Sequence, residues 1–229
     1  EGTGLLLGAG TLTTGGTLDV NGTLDVSGAL NMTAAASNVY ISNDITIDSP
    51  GVVVKGAGRV KFDGNLTYRD NVGGTNFGRV VVDPTTTLGT DFTSDSLEIE
   101  SGHTFVTDGY EMTIFGTMDI DGTLNAAPGA DGNSTIRVGG TWDMTGGLFT
   151  STNSTVMLNG TMTADLYSDS KPFNNLIIND GLVAYWKLDE AASPAIDYSG
   201  YARNGTWAGN PTQDADSAPV NFANAASID

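Results

Sequence analysis

The amino-acid sequence predicts an all-β protein in which residues 1–180 form a parallel β-solenoid (β-helix). Two repeats lead to this fold class: six-residue segments recur in tandem, and a longer pattern recurs about 96 residues later. In addition, no segment has the apolar spacing of a helix. Short strands without helices also fit a sandwich, a barrel or a propeller, and the tandem segments favour the solenoid over these.

The tandem segments occupy residues 16–21, 22–27 and 28–33, and the pattern returns at residues 116–125. In each segment the apolar residues lie two apart, with Thr, Asp or Asn between them, which is the period of a half-buried strand. A six-residue strand and turn is too short for a free hairpin, but it suits one side of a coil that stacks on the next. We therefore expect coils of about 20 residues with two or three strands each, in a rod about 40 Å long.

The longer repeat relates residues 60–67 to residues 156–163, an offset of 156 − 60 = 96. The same offset pairs apolar residues beyond the next loop: Phe77 with Phe173, Val80 with Leu176, and Val82 with Ile178. Upstream of residue 60, the two blocks continue to match at an offset of 97, and one inserted residue in a turn explains the change from 96. The repeat predicts two related blocks of the solenoid, at about residues 39–83 and 136–179, with further coils stacked between them.

Composition limits the environment and the partners. The chain has 229 residues, no cysteine and a net charge of −18, from 27 acidic and 9 basic residues. Such a surface repels nucleic acid and anionic lipid, so binding to either is not expected. No apolar run reaches the ~20 residues of a membrane span, so membrane insertion is not expected either. Abundant Thr, Ser, Asn, Asp and Gly in β-repeats without cysteine indicate an extracellular or cell-surface protein.

Many acidic residues alternate with apolar residues on the predicted strands, as at Asp19, Asp25, Asp119 and Asp121. Stacked coils would bring such carboxylates about 5 Å apart. Two interpretations remain: a solvated outer face that discourages aggregation, or a surface that binds calcium. Only residues 119–122 hint at a calcium loop, and no glutamate follows at its twelfth position, so the solvated face is favoured.

The chain changes character at Gly181. Residues 181–190 contain an aromatic pair and then an acidic pair, and residues 197–207 contain an Asp-x-Ser-Gly turn followed by Asn-Gly-Thr. At this spacing the two motifs resemble the opening of the laminin-G-like (concanavalin A-like) jelly-roll domains of extracellular proteins. The resemblance implies that residues 181–229 form an incomplete, lectin-like β segment, since such a domain needs roughly 150 residues. The complete fold class is therefore a β-solenoid followed by a partial jelly roll.

The same resemblance implies a metal site. Asp189 and Asp197 lie where such domains place acidic residues near their N-terminal turns, so we expect them as metal ligands with calcium as the cofactor. Asp197 also fits a structural role as a turn residue. Trp186 likewise fits a role as an apolar anchor of the core rather than as a ligand-binding residue.

The solenoid sequence resembles a known class as well. Residues 154–160 and 172–179 are similar to the β-repeats of very large bacterial or archaeal surface and adhesin-like proteins, in which such repeats alternate with laminin-G-like domains. This resemblance implies a stalk or a spacer. It identifies no binding partner.

No catalytic residue is expected. Parallel β-helix enzymes that act on polysaccharides need carboxylates grouped with one another or with a basic residue on adjacent coils. The basic residues of this chain are scattered, without a recognisable motif beside an acid. The only histidine, His103, lies in a turn that enters a strand and has no nucleophile near it in sequence, which favours a structural role. Neighbours on an adjacent coil would change this interpretation.

The leading functional hypothesis is a non-enzymatic extracellular structural or adhesive protein, either a rigid repeat stalk or a filament subunit that assembles with itself. Residues 1–7 begin apolar and in mid-repeat, and the lectin-like segment begins without finishing. We expect either a piece of a longer chain or open ends completed by neighbouring copies through strand addition. The alternative is a carbohydrate-binding module or a β-helix polysaccharide-degrading enzyme, with glycans as partners and Trp142 or Trp207 as stacking residues.

Overall fold

The first unit of the molecule is a parallel β-solenoid. The computed structural model describes residues 4–34, 37–160, 164–179, 184–187, 194–198, 202–206, 212–214 and 225–227. The chain divides into two compact units, Glu1–Ile178 and Asn179–Asp229. All regular secondary structure among the described residues is β-strand. The all-β solenoid predicted from the tandem segments is confirmed, with about eight turns.

The described residues of the first unit contain 24 strands. The first twelve are β1 (Leu5–Leu7), β2 (Thr11–Thr13), β3 (Leu18–Val20), β4 (Leu24–Val26), β5 (Ala29–Asn31), β6 (Val39–Ile41), β7 (Ile45–Ile47), β8 (Val52–Val54), β9 (Arg59–Phe62), β10 (Leu66–Asp70), β11 (Arg79–Val82) and β12 (Thr85–Leu88). The next twelve are β13 (Phe92–Ser94), β14 (Ser96–Ile99), β15 (Thr104–Val106), β16 (Met112–Ile114), β17 (Met118–Ile120), β18 (Thr123–Asn125), β19 (Thr135–Val138), β20 (Trp142–Asp143), β21 (Leu148–Thr150), β22 (Thr155–Leu158), β23 (Leu166–Tyr167) and β24 (Asn175–Ile178).

The coils stack to form three faces. Sheet 1 has the order β1-β4-β7-β10-β12-β15-β18-β21, and sheet 2 has the order β3-β6-β9-β11-β14-β17-β20-β23. The third face carries two shorter ladders, β2-β5-β8 and β13-β16-β19-β22-β24. The register sets the coil length, since Leu24 follows its partner Leu5 by 19 residues and Tyr68 follows its partner Ile45 by 23. At ~4.8 Å per pairing, the seven steps across sheet 1 span about 34 Å.

Along each short strand, successive side chains point alternately into the core and out toward solvent. In β4, Leu24 and Val26 are fully buried, while Asp25 between them points outward. Their register partners in β7, Ile45 and Ile47, are fully buried as well, so apolar side chains stack from coil to coil. A fully buried aliphatic side chain stabilises the fold by about 1.5–3 kcal/mol. A three-residue strand is therefore enough for one side of a coil.

Two clusters of aromatic side chains lie in the core. The first joins rings from four consecutive coils, with centroids 5.3–6.3 Å apart: Phe62, Tyr68, Phe77, Phe92 and Phe105. The second lies among the last coils, with centroids 5.3–5.8 Å apart: Trp142, Phe149 and Phe173. Such ring pairs contribute about 0.5–1.5 kcal/mol each beyond the burial of their area.

A glycine at the start of a tandem segment lets neighbouring coils approach closely at a corner. A Cβ atom on Gly28 would overlap the carbonyl oxygens of Gly8 and Gly10 in the preceding coil. The next residue holds the two corners together, because the Ala29 N–H donates to the Gly10 carbonyl at 2.8 Å. For Gly16, no atom of the described residues lies near the Cβ position. Close approach of the backbone therefore requires some of the repeated glycines and not others.

The two sequence blocks lie on different faces of the solenoid. Strands β6, β9 and β11 of the first block belong to sheet 2, whereas their sequence counterparts β19, β22 and β24 belong to the third face. In the same way, β7 of sheet 1 corresponds to β20 of sheet 2. An offset of 96 residues is about four and two-thirds coils of this length. Each strand of the second block therefore lies on the face next to that of its counterpart in the first block. Phe77 and Phe173, which precede the final strand of their block, each belong to an aromatic cluster.

The third face is interrupted in the fourth coil, where residues 71–78 form a loop without a strand. Asp70 holds this loop in place. Its carboxylate accepts three backbone N–H groups at 2.8–3.1 Å, those of Val72, Gly73 and Thr75. As a consequence, β8 has a strand neighbour on one side only.

The second unit shows antiparallel pairing in its described residues. Strand β25 (Thr212–Asp214) pairs with β26 (Ala225–Ser227). Isolated bridges join two further pairs: Trp186 with Asp197, and Ala195 with Gly205. These pairings are short and local, and they do not test the two-sheet architecture of a jelly roll. The lectin-like segment stays a prediction.

Candidate functional site

Carboxylates stack at the corner where sheet 2 ends and sheet 1 begins. The final residues of β9, β11, β14 and β17 are partners in one continuous register. The residue that follows each of these strands is acidic: Asp63, Asp83, Glu100 and Asp121. Successive coils therefore place four carboxylates one above another, at steps of about 4.8 Å. Because like charges in adjacent coils repel, this corner needs cations or hydrogen bonds.

Lys61 supplies a cation to this corner from the outer face of β9. Its Nζ lies 2.7 Å from Asp83 Oδ2 and 3.0 Å from Glu100 Oε2, so one ammonium bridges carboxylates on two successive coils. His103 completes the group, with its Nε2 lying 3.0 Å from Asp83 Oδ1. The four side chains, which we call the corner cluster, are 20–33% exposed. Solvent therefore reaches them, but only in part.

The contacts within the corner cluster set its charges. The hydrogen bond from Lys61 lowers the pKa of Asp83 below its usual 3.8, more than burial raises it. The hydrogen bond to Asp83, helped by Glu100, raises the pKa of Lys61 above 10.5 against the opposing effect of burial. Both groups are therefore charged at neutral pH. The buried Nδ1 of His103 has no hydrogen-bond partner in the described part of the chain, whereas its Nε2 faces Asp83.

Three members of the corner cluster have the chemistry of metal ligands. Asp83, Glu100 and His103 form the one set of described residues that offers three ligand atoms within 4.8 Å of one another. Carboxylate oxygens with an imidazole nitrogen suit a borderline divalent ion such as zinc. Lys61, however, already lies against both carboxylates. A divalent ion would have to displace this ammonium, so the geometry favours an ion-pair network in which one lysine is shared by two carboxylates.

Replacing Lys61 with methionine is expected to lower the free energy of unfolding by about 1 kcal/mol at neutral pH. The variant keeps an apolar stem but leaves Asp83 and Glu100 on adjacent coils without their shared cation. Because Lys61 lowers the pKa of Asp83 in the folded state, this stabilisation is present above the unfolded value of 3.8 and is lost as the pH falls through the folded value. Urea unfolding at neutral pH and at about pH 3 measures both effects.

Lys55→Met is the matched control for Lys61→Met. Lys55 pairs with Asp95 alone, and both side chains are 42% exposed. Burial raises the pKa of Asp95, but the hydrogen bonds from Lys55 and Asn76 together outweigh it and lower the pKa. We expect this exposed pair to contribute less than about 0.5 kcal/mol. Equal losses in the two variants would contradict the role of Lys61 as a cation shared between coils.

A second column of carboxylates lies on the outer face of sheet 2. Glu98, Asp119 and Asp143 are register partners on β14, β17 and β20. The first two line a cavity of about 150 Å³ together with Arg79. Burial raises the pKa of Asp119 above 3.8, and the charges of Asp121, Asp143 and Glu98 raise it further. Ionised Asp119 is therefore less stable in the folded protein than in the unfolded chain.

Asp119→Asn is expected to raise the free energy of unfolding by about 0.5 kcal/mol at pH 7, because it removes the centre of this repulsion. The folded-state pKa of Asp119 lies above the unfolded value of 3.8, so its penalty is absent below 3.8 and complete above the folded value. The gain should therefore vanish in acid and shrink in high salt. Asp25→Asn is the control, since its register partners Leu6 and Thr46 carry no charge. Equal gains in the two variants would contradict the assignment.

Comparison with known proteins gives no family for this chain. No family model, no curated protein and no solved structure matches it. Within the described residues, there is no helix of the length and hydropathy that a membrane span requires. The geometry of the corner cluster and of the stacked coils is therefore the basis for the function proposed below.

The two metal ligands expected from the lectin-like resemblance are placed as follows. Asp189 lies outside the described residues. Asp197 is buried, and its two carboxylate oxygens accept the N–H groups of Tyr185 at 2.8 Å and Arg203 at 2.9 Å. These bonds are typical of an acidic residue that organises a turn. Asp197 belongs to no group of three described residues that could share a metal ion.

The aromatic residues named for glycan stacking differ in position. Trp142 is fully buried and packs against Phe149 and Phe173, so the prediction that it stacks on a glycan is wrong. Its place in the strand pattern, two residues before the buried Met144, is the signal for a core position. Trp207 lies outside the described residues. Trp186 is 44% exposed, and its Nε1–H donates to the Arg203 carbonyl at 2.9 Å.

The corner cluster is not apparent from the sequence. Lys61 is one of several scattered bases and His103 is isolated in sequence, because their partners lie one or two coils away in the chain. Asp83 follows Lys61 by 22 residues, and Glu100 follows Asp83 by 17. A search for charged residues spaced by about one coil length would have grouped them. The exact coil boundaries, which the sequence does not give, decide which of many such pairs meet.

Proposed function

We propose that this chain is a non-enzymatic structural or adhesive protein of the cell surface or extracellular space, in which the solenoid serves as a rigid stalk. The supporting observation is the continuous stack of parallel strands around a single apolar core that runs through the unit. A core of this kind gives length and stiffness in proportion to the number of coils. The net charge of −18 favours solubility and opposes side-by-side association of such rods.

The corner cluster supports the stalk interpretation. Lys61 ties the coil of β9 to the coils of β11 and β14 across the surface, outside the ladder of backbone hydrogen bonds. Ion pairs that span several coils resist sliding and fraying of the stack, because breaking them exposes like charges to each other. The cluster is thus proposed as a clamp between coils.

Filament assembly is the second form of the structural proposal. The last described strand of the third face, β24, exposes its apolar side chains Leu176, Ile177 and Ile178. Among the described residues, β24 has a strand partner, β22, on one side only. An exposed apolar edge strand is a template for a strand from another copy. In this form the partner of the chain is the chain itself.

Negative-stain electron microscopy of the purified chain, with and without a calcium chelator, tests the structural proposal. Separate short rods support the stalk form, and fibres support the filament form. If fibres are lost when the chelator is added, the contact between copies depends on calcium. Compact particles without a long axis would contradict both forms. For the filament form, Ile177→Lys should abolish fibres, and a stable monomer of the unmodified chain in sedimentation at micromolar concentration would overturn it.

We further propose that residues 181–229 belong to a laminin-G-like β segment that binds calcium through Asp189 and Asp197. The support for this proposal is the motif resemblance, which carries Asp189 and Asp197 as the acidic residues near the N-terminal turns. Isothermal titration with calcium tests the site. Binding that is lost in Asp189→Asn supports it. Unchanged binding in this variant, or no heat at all, removes calcium from the proposal.

Action on a polysaccharide is a second candidate function, and one observation favours it. The corner cluster groups a lysine, two carboxylates and a histidine on adjacent coils, which is the kind of set that general acid–base chemistry on glycans uses. A panel of acidic and neutral polysaccharides incubated with the protein tests this function. Release of reducing ends that disappears in Asp83→Asn would establish it. No product from any polymer would leave the clamp as the role of the cluster.

A further inference from the structure

The interruption of the third face leaves an open strand edge in the side of the solenoid. The loop of residues 71–78 replaces the strand that the fourth coil would add beside β8. It rejoins the ladder only through a parallel bridge between Asn76 and Thr93. On this face, β8 and β13 are therefore the edges of two ladders, with a gap between them.

The backbone of Val53 points into this gap. The two neighbouring residues of β8 bond to the preceding coil: the Val52 N–H donates to the Gly28 carbonyl at 2.8 Å, and the Val54 carbonyl accepts from the Met32 N–H at 2.8 Å. Successive residues of a strand direct their N–H and C=O groups to opposite sides. Val53 thus presents one donor and one acceptor away from that coil, and no backbone group of residues 71–78 pairs with either.

The loop leaves the gap open because five of its eight N–H groups are bonded elsewhere. Asp70 accepts the N–H groups of Val72, Gly73 and Thr75, as described above. The Gly78 N–H donates to the side chain of Asn76 at 2.7 Å. The loop is therefore fixed beside the strand edge in a conformation that leaves the edge open.

The gap is an apolar groove without free charge. Its volume is about 430 Å³, within the range of ligand sites. Val52, Val54 and Val72 line it and are 50%, 40% and 47% exposed. The one charged lining residue is Lys55, whose ammonium is already paired with Asp95. On a chain with a net charge of −18, this is an uncharged patch.

We propose that this groove binds an extended, uncharged segment of a partner protein, which adds a strand to β8. The segment pairs with the N–H and C=O of Val53 and lays small apolar side chains against Val52, Val54 and Val72. Its lack of charge follows from the lining, because a charged side chain would lose water there without gaining a partner. A second copy of this chain is disfavoured as the occupant of this side groove, because two rods of net charge −18 laid side by side would repel each other along their length.

The probe for the test is a blocked six-residue peptide of alternating threonine and valine, added to the full chain at about 1 mM. Amide exchange of ¹⁵N-labelled protein is followed by NMR. We expect exchange of the Val53 amide to slow at least tenfold, because it gains a bonded carbonyl. The amides of Val52 and Val54, already bonded within the ladder, should not change. A peptide methylated on the backbone nitrogens of one edge should give no protection.

Two variants make the binding test specific. Val52→Lys combined with Val54→Lys places two charges on the exposed rim of the groove and should weaken peptide binding at least tenfold, as lysines do on natural edge strands. Thr11→Lys combined with Thr13→Lys adds the same charges to exposed positions of β2 on the same face and should leave binding unchanged. No slowing of Val53 exchange, equal protection by the methylated peptide, or equal binding to the Val52/Val54 variant would each overturn the proposal.

Discussion

Phe92→Ala is expected to lower the free energy of unfolding by about 3–5 kcal/mol, the range for removing a buried phenylalanine ring. Phe92 is 1% exposed and occupies the centre of the first aromatic cluster. Its ring centroid lies 5.3 Å from that of Tyr68 and 5.4 Å from that of Phe105, which belong to the coils before and after it. The variant leaves a cavity between three coils, and the rigid stack limits how far they can close it. Urea unfolding followed by circular dichroism measures the loss.

Phe115→Ala is the matched control for Phe92→Ala. Phe115 is the residue after β16, and its side chain is 60% exposed. Its truncation should change the free energy of unfolding by no more than about 0.5 kcal/mol. A loss of similar size in both variants would show that the inside and outside of the coils have been assigned wrongly.

Gly28→Ala is the second change with a large expected effect. The added methyl group overlaps the carbonyl oxygens of Gly8 and Gly10 in the preceding coil, so the coils must separate at this corner. Overpacking of this kind costs about 1–3 kcal/mol. In a domain of this size, 1 kcal/mol corresponds to about 2–4 °C, so thermal unfolding should shift down by several degrees.

Gly16→Ala controls for the chemistry of the substitution. Gly16 begins another tandem segment, but within the described ranges no other residue lies near its Cβ position. The variant should be neutral or slightly stabilising, by up to about 1 kcal/mol, because alanine restricts the unfolded chain. A destabilisation equal to that of Gly28→Ala would contradict the close approach of coils at Gly28.

Local pattern was sufficient to predict the class of fold. The alternation of Leu24, Asp25 and Val26 specifies an inner and an outer face, and tandem repetition of that pattern requires copies to stack rather than fold back as hairpins. The coil length of about 20 residues follows from the same segments. The sequence did not reveal that the fourth coil lacks its strand on the third face, because residues 71–78 differ from the other turns only in having three glycines.

The long repeat shows a limit of the same kind. Matching residues at an offset of 96 predicted related blocks, but not that the second copy is turned by one face. Faces are set by the running sum of all coil lengths, and these vary from coil to coil. If the predicted length of one turn is wrong by two residues, every later residue is misplaced by two positions around the coil, and the assignment of strands to faces becomes unreliable.

The corner cluster depends on three-dimensional register in the same way. Lys61, Asp83 and Glu100 meet because the final residues of β9, β11 and β14 are aligned. No local motif marks them, since each partner is separated from the next by about one coil. Long-range ion pairs of this type are predictable only after the coil boundaries are known.

The stacking of coils is tested most directly by distances between spin labels on sheet 1. The chain has no cysteine, so introduced pairs are the only labelled sites. The first labelled pair is Thr150→Cys with Thr67→Cys, which lies four register steps away. The second pair is Thr150→Cys with Asp25→Cys, which lies six strands away in the sheet. At ~4.8 Å per step the two pairs should lie about 19 and 30 Å apart at the backbone.

The solenoid predicts a narrow distance distribution for each pair, with the Asp25 pair longer than the Thr67 pair by about 10 Å. This difference does not depend on the length of the label linker, which is common to both pairs. Equal distances, a shorter distance for the Asp25 pair, or broad distributions would contradict a rigid stack of parallel coils.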